Sequence, residues 1–248
     1  MQSLIRRISR FAARHFAKSW LPFHAPRGVV SFSFDDVPLS ACEQGAALLE
    51  KHGVRGTFFV CGGLTDQTEQ GQQCHSEDIL QQLHLAGHEL GCHTFSHTHC
   101  ERADRDQIQT DLLRNQDFFK RLQLPLSGFA FPFGAYSFAS KLLARSHFGY
   151  ARITGNRTMF NGADVYALPA MALYEGKMTQ QALQALIQDV AHRKGWLIFY
   201  THEVTHQPGQ WGATPELLRF CIAEAISAGC EVKTIRDAIL YFEQARRS

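Results

Sequence analysis

No uninterrupted apolar run in this chain approaches the length that crosses a bilayer, so spanning helices are not expected. No apolar stretch with a cleavage site follows the basic start, so export through a cleavable signal is not expected either. CxxC is missing, and the seven cysteines (42, 61, 74, 92, 100, 221, 230) are odd in number and unevenly spaced. A reducing, cytoplasmic compartment suits them better than a disulfide framework. GxGxxG is missing, as is GxxxxGK followed by Ser or Thr, which removes the usual nucleotide signatures. A net charge of +2 leaves no nucleic-acid footprint on the chain as a whole. No linker, repeat or low-complexity tract divides it.

Acids are absent from residues 1–27, which hold Arg6, Arg7, Arg10, Arg14, Lys18 and Arg27. With +6 there and +2 overall, the remainder carries −4. Leu4, Ile5, Ile8, Phe11, Ala12 and Phe16 recur at helical spacing, the pattern of a basic amphipathic helix. Three readings fit: docking on an anionic membrane surface, packing of the apolar stripe on the protein body, or an Arg-rich transit peptide. On the first, the protein is peripheral at the inner membrane face.

What is present is an alternation of strand-like runs with capped helices over residues 28–248. The runs are GVVSFSF (28–34), GTFFV (56–60), HELGC (88–92), GFAFP (128–132), GYARI (149–153), a weaker segment at 164–173, and WLIFYT (196–201). Ser40 with Glu43 reads as a capping box for a helix to Gly53. Ser76, Ser137, Thr179 and Thr214 cap further helices, and Thr214-Pro215-Glu216 adds a proline and an acid to the start. A short strand at 231–233 and a helix from Thr234, boxed with Asp237, end the chain. Seven or eight such units with short loops predict an α/β fold, a distorted parallel (β/α) barrel of about seven strands.

In such barrels chemistry sits where strands end. Four strand ends here deliver polar or special residues: Asp35 and Asp36, then His93 and His97, then FPFG, then His202. His93 and His97 are four apart, so one helical turn would put both imidazoles on one face. Two imidazoles and a carboxylate make a first shell for a hydrolytic metal. Adjacent carboxylates after a buried strand are costly unless one binds a cation and the other acts on water. Cys92, His99 and Cys100 lie near enough for a zinc cluster, but no second cysteine pair has finger spacing. His88 and Glu89 fall away from the reactive strand end.

SFDDVP, HTFSH, FPFG and FYTHE, in that order, resemble the motifs of the polysaccharide deacetylase family, the NodB-homology group or carbohydrate esterase family 4. The resemblance covers roughly residues 28 to 240. It implies a distorted (β/α) barrel that removes acetyl groups from sugars, mostly N-acetylglucosamine units. It implies Asp35 as general base, Asp36, His93 and His97 as metal ligands, His202 as general acid, and the Phe133 N–H, after Pro132, as an oxyanion donor. A divalent cation, most often zinc, would lower the pKa of its bound water and polarise the acetyl carbonyl.

Departures are visible. Ala130 stands where many members have an arginine that steadies the base, and Arg152 at the next strand end is a candidate to supply that charge. The fourth motif is not recognisable, and Asp164 and Arg157 are candidates by position alone. Glu203 replaces a frequent aspartate. Trp211 in a rim loop is a candidate for stacking on a sugar, and Pro132 and His206 for contacting the substrate in the cleft, whereas Trp196 reads as core.

The resulting expectation is a metal-dependent N-deacetylase of a glycan or glycoconjugate, on an intracellular, lipid- or nucleotide-linked precursor of a surface polysaccharide. The alternatives are an amidase on a non-sugar substrate and a glycan-binding protein with a degenerate site.

Overall fold

The computed structural model describes residues 2–69 and 71–246, with side chains from residue 6 onward. Seven parallel strands follow one another around a barrel in chain order: β1 Val29–Asp35, β2 Thr57–Val60, β3 Glu89–Cys92, β4 Phe129–Ala130, β5 Ala151–Thr154, β6 Leu168–Ala172 and β7 Trp196–Thr201. The ring closes where β7 pairs with β1, from Trp196↔Val29 to Thr201↔Phe34. An eighth strand, Glu231–Val232, adds to the start of β1. The expected barrel of about seven strands is the observed architecture.

Alternation along β1 shows how the sequence builds it. Val30, Phe32 and Phe34 pack outward against Leu49, Leu218 and Ile222 of the surrounding helices. Each fully buried Phe contributes about 2 kcal/mol relative to exposure. Ser31, Ser33 and Asp35 take the alternate positions, and all are buried. Ser31 accepts from the Trp196 indole N–H, and the Ser33 hydroxyl donates to the Phe199 carbonyl. The same periodicity that fills the outer core therefore delivers a carboxylate to the strand end. Trp196 is core, packed on Phe23 and Phe242.

The helices are α1 Gln2–His15, α2 Ala46–Lys51, α3 Glu77–Leu85, α4 Arg105–Arg121, α5 Phe138–His147, α6 Gln180–Arg193, α7 Pro215–Ser227 and α8 Ile235–Ala245. Ser76, Ser137, Thr179 and Thr214 cap as expected, each accepting from a first-turn N–H. Ser40 does not. It is itself helical and its hydroxyl accepts from the Val204 N–H, while residues 41–45 form a π-helical turn before α2. Tertiary bonding to the loop after β7 has replaced the box. Thr234 accepts from the Asp237 N–H.

Residues 20–25 belong to the packed body. Trp20–Pro22 pairs antiparallel with Gly162–Asp164, and Leu21, Phe23 and Ala25 are buried. The helix before them packs differently from an apolar stripe seated on the body. Ala13 is buried, Ser9 accepts from the Phe138 N–H, and Lys141 donates to the Ala13 carbonyl. Ile8, Phe11 and Phe16 are exposed. The side chains of Leu4 and Ile5 lie outside the described residues. No helix among the described residues is long and apolar enough to cross a membrane.

Glu89 stands at the start of β3, the end of the barrel away from the chemistry. Its carboxylate accepts from the hydroxyls of Thr57, Ser127 and Tyr150 and from the Arg236 N–H. Burial outweighs these donors and holds its carboxyl above the ordinary value of 4.5. A raised folded-state pKa means the native state binds more protons than the unfolded chain, so stability falls as pH rises through that window. Urea unfolding of Glu89→Gln across mildly acid to neutral pH is expected to show a flatter pH dependence than the parent.

Candidate active site

Asp35 ends β1, and the chain then turns through two consecutive left-handed residues, Asp36 (φ 59°) and Val37 (φ 57°). Thr94 (φ 62°), His97 (φ 53°) and Phe133 (φ 60°) share that conformation on the same rim. Such φ values strain residues with a Cβ, and strain concentrated in one place marks a functional site. The turn brings Asp36 onto two separate strand ends. Its Oδ1 lies 3.8 Å from His93 Nε2 and 3.5 Å from His97 Nε2, and its Oδ2 lies 3.8 Å from His202 Nε2.

His93 and His97 are not on a helix. Residues 93–98 form an irregular loop after β3, and the left-handed turns at Thr94 and His97 bring the two rings to 5.1 Å. The loop is held from α4. Asp111 accepts from the N–H groups of Phe95 and Ser96 and from the Thr98 hydroxyl. Asn115 accepts from the Gly62 N–H and donates to the Val60 carbonyl and the Cys92 sulfur.

The donor set fits a divalent cation. Ligand atoms of Asp36, His93 and His97 lie within 4.8 Å of one another, the one such group among the described residues. His93 Nδ1 faces the Ala130 carbonyl at 2.8 Å, so Nδ1 carries the proton and Nε2 keeps its lone pair. Burial pushes the His93 pKa down to about 4, which leaves the ring neutral as a ligand must be. Cys92, His99 and Cys100 do not join a cluster. Cys92 meets Asn115, Cys100 faces the Thr98 carbonyl, and His99 stacks on Phe133.

Arg152 lies fully inside the barrel, and its Nη2 donates to both oxygens of Asp35. Its register partner on β4 is Ala130. The cation thus comes from one strand over, beside the position where it was missed. The guanidinium sits between the rings of Phe59 and Tyr200, 5.1 and 5.0 Å from their centroids. Burial alone would raise the Asp35 pKa, but Arg152, His93 and His202 together outweigh it and hold the carboxyl below its usual value.

Asp35, Asp36, His93, His97 and His202 line a pocket of about 490 Å³ with Phe133 on one side and Trp211 on another. Phe133 is exposed and packs on His97 at 4.6 Å. Trp211 meets Tyr174, and its carbonyl accepts from the His202 N–H. Glu203 ties two walls, accepting from the Gly209 N–H and from Gln72. Four expectations are corrected. His206 pairs with Glu216 at the surface and does not line the pocket. Pro132 is buried in the turn, where it shapes the backbone before Phe133. Asp164 pairs with Lys141 and caps the Ser19 and Tyr166 N–H groups. Arg157 lines a neighbouring groove.

Sequence reasoning missed Tyr174, Tyr200 and Gln72. Tyr200 was readable from the alternation of β7, whereas Gln72 comes from a two-stranded turn with no chemical signature. Asp111→Ala removes the acceptor that shapes the His97 loop. Calorimetric titration with Zn²⁺ is expected to show affinity roughly 10- to 100-fold weaker than the parent, with the fold retained.

Comparison with known proteins agrees with this geometry. The family model described as polysaccharide deacetylase matches residues 24–152, just over half of the chain. A chitin deacetylase of Colletotrichum lindemuthianum is 33% identical over 70 residues, covering 28% of this chain and 27% of that protein. A bifunctional xylanase/deacetylase of Pseudobutyrivibrio xylanivorans is 30% identical over 84 residues, 34% of this chain and 13% of that one. A peptidoglycan-N-acetylglucosamine deacetylase of Bacillus cereus is 26% identical over 94 residues, 38% and 31% of the two chains. The chain therefore spans less than a third of these relatives. Among solved structures, a family 4 acetyl xylan esterase from Clostridium thermocellum with a cobalt ion superposes with a TM-score of 0.61 at 21% identity, covering 86% of this chain and 90% of that one. Bacillus subtilis PdaA, a family 4 carbohydrate esterase, gives a TM-score of 0.60 at 16% identity over 93% and 88%. Both likenesses show the barrel fold. With its motifs gathered on one rim and a family model matching from residue 24 into β5, the chain belongs to the polysaccharide deacetylase family.

Proposed function

We propose that this protein is a metal-dependent hydrolase that removes N-acetyl groups from an amino-sugar glycan or glycoconjugate. The observation that carries the proposal is the placement of Asp36 between its neighbours. One carboxylate oxygen faces His93 and His97 and the other faces His202, so a cation site and a proton donor share one pocket.

Asp36, His93 and His97 would hold the cation, for which zinc is our first choice because two imidazoles and one carboxylate suit it. A divalent cation there supplies Lewis acidity toward a water and an acyl oxygen. Asp35 takes a proton from the attacking water, whose oxygen adds to the acetyl carbon. Arg152 keeps Asp35 ionised and aimed. The Phe133 N–H is the proposed donor to the developing oxyanion. His202 gives its proton to the sugar nitrogen as the C–N bond breaks, and acetate and a free amine leave. Phe133 and Trp211 offer ring faces to the sugar.

The same reading extends to the substrate as an N-acetylated sugar on a lipid or nucleotide carrier inside the cell, consistent with seven buried, unpaired cysteines. Acetate release from acetylated chito-oligosaccharides is expected to vanish on chelation and return with Zn²⁺. Asp35→Asn and His202→Ala are each expected to lower kcat by roughly 100-fold or more. Release from non-sugar acetamides alone would favour an amidase, and a bound cation with no turnover would favour glycan binding.

A further inference from the structure

Among the described residues of α1, the large apolar side chains Ile8 and Phe11 are not packed on the body. Ser9 and Ala13 meet α5, and Arg10 pairs with Glu101 at 2.8 Å. The opposite side presents Ile8 and Phe11, each 59% exposed, and the Phe11 ring lies 4.3 Å from that of His15 one turn on. Phe16, 78% exposed, and Trp20, 51% exposed, add two more exposed rings past the helix end. Large apolar side chains grouped like this on a folded protein mark an interaction surface.

The charges beside the patch indicate what it meets. Arg7 and Arg14 bracket Phe11 at i−4 and i+3, and Lys18 lies over the Trp20 ring at 4.1 Å. Among the described residues no acid pairs with Arg7, Arg14 or Lys18. A second copy of the chain would bring these like charges together, which disfavours a symmetric dimer on this face. Apolar side chains flanked by cations, with Lys and Trp at the boundary, match the headgroup region of an anionic bilayer.

We infer that the outward face of α1, with Phe16 and Trp20, docks this protein on an anionic lipid surface. The docking side chains also adjoin a groove next to the site. Arg14, Lys18 and Trp20 line a groove of about 570 Å³ that shares Thr154 with the pocket holding Asp35 and His202. The docking surface does not depend on the deacetylase reading, because it is read by binding alone.

The full chain is mixed with vesicles of phosphatidylcholine containing phosphatidylglycerol and, separately, with phosphatidylcholine vesicles. We expect co-sedimentation with the anionic vesicles, weakened by high salt, and little with the neutral ones. The double variant Phe11→Ser, Phe16→Ser is expected to partition roughly tenfold less, with an unaltered thermal midpoint. Arg7→Glu with Arg14→Glu is expected to remove the preference for anionic lipid. No sedimentation of the parent, equal sedimentation of parent and variants, or a dimer in place of vesicle binding would overturn the inference.

Discussion

The site depends on one ion pair inside the barrel, that between Arg152 and Asp35. A carboxylate enclosed by a barrel is driven toward its neutral form, and only a charge brought into the same enclosure opposes this. Arg152 does so with one nitrogen on both Asp35 oxygens, while Phe59 and Tyr200 fix the guanidinium plane. Such a pair is a matter of position more than of net stability. Its formation roughly balances desolvation, whereas removing one partner strands a buried charge at a cost of about 3–5 kcal/mol.

The rest of the rim is arranged around that pair at a conformational cost. Asp36, Val37, Thr94, His97 and Phe133 all hold positive φ, each costing on the order of 1–3 kcal/mol. Hydrogen bonds from the scaffold offset it. Asp111 and Asn115 on α4 fasten the loops after β2 and β3, and Glu203 spans the two loops that wall the pocket. Two adjacent aspartates thereby acquire different tasks. Asp35 points into the barrel to a cation of the protein itself, and Asp36 is turned out toward the imidazoles.

Much of this was legible in the sequence because it follows from periodicity and spacing. Strand-end position singled out Asp35, Asp36, His93, His97 and His202, whereas the alternation that turns Asp35 inward became visible only in the barrel. What could not be read was anything set by tertiary bonding. The His pair looked helical from its spacing, but the loop takes its shape from Asp111, sixteen residues past Phe95 in β-to-helix order. Ser40 matched a cap by type yet bonds to Val204 in the loop after the neighbouring strand β7, and His206 was a candidate for the cleft but turns to Glu216. Arg152 was recognisable as a substitute for the missing arginine, while its register against Ala130 required the sheet.

That register offers the most direct test of the account, the pH–rate profile of Arg152→Ala beside that of Arg152→Ala carrying Ala130→Arg. Without Arg152, the largest of the influences that oppose burial at Asp35 is lost, so its pKa rises. Turnover is expected to fall and the acidic limb of the profile to move to higher pH. An arginine restored from the paired position is expected to recover part of both. A rate and profile unchanged in Arg152→Ala would contradict the account.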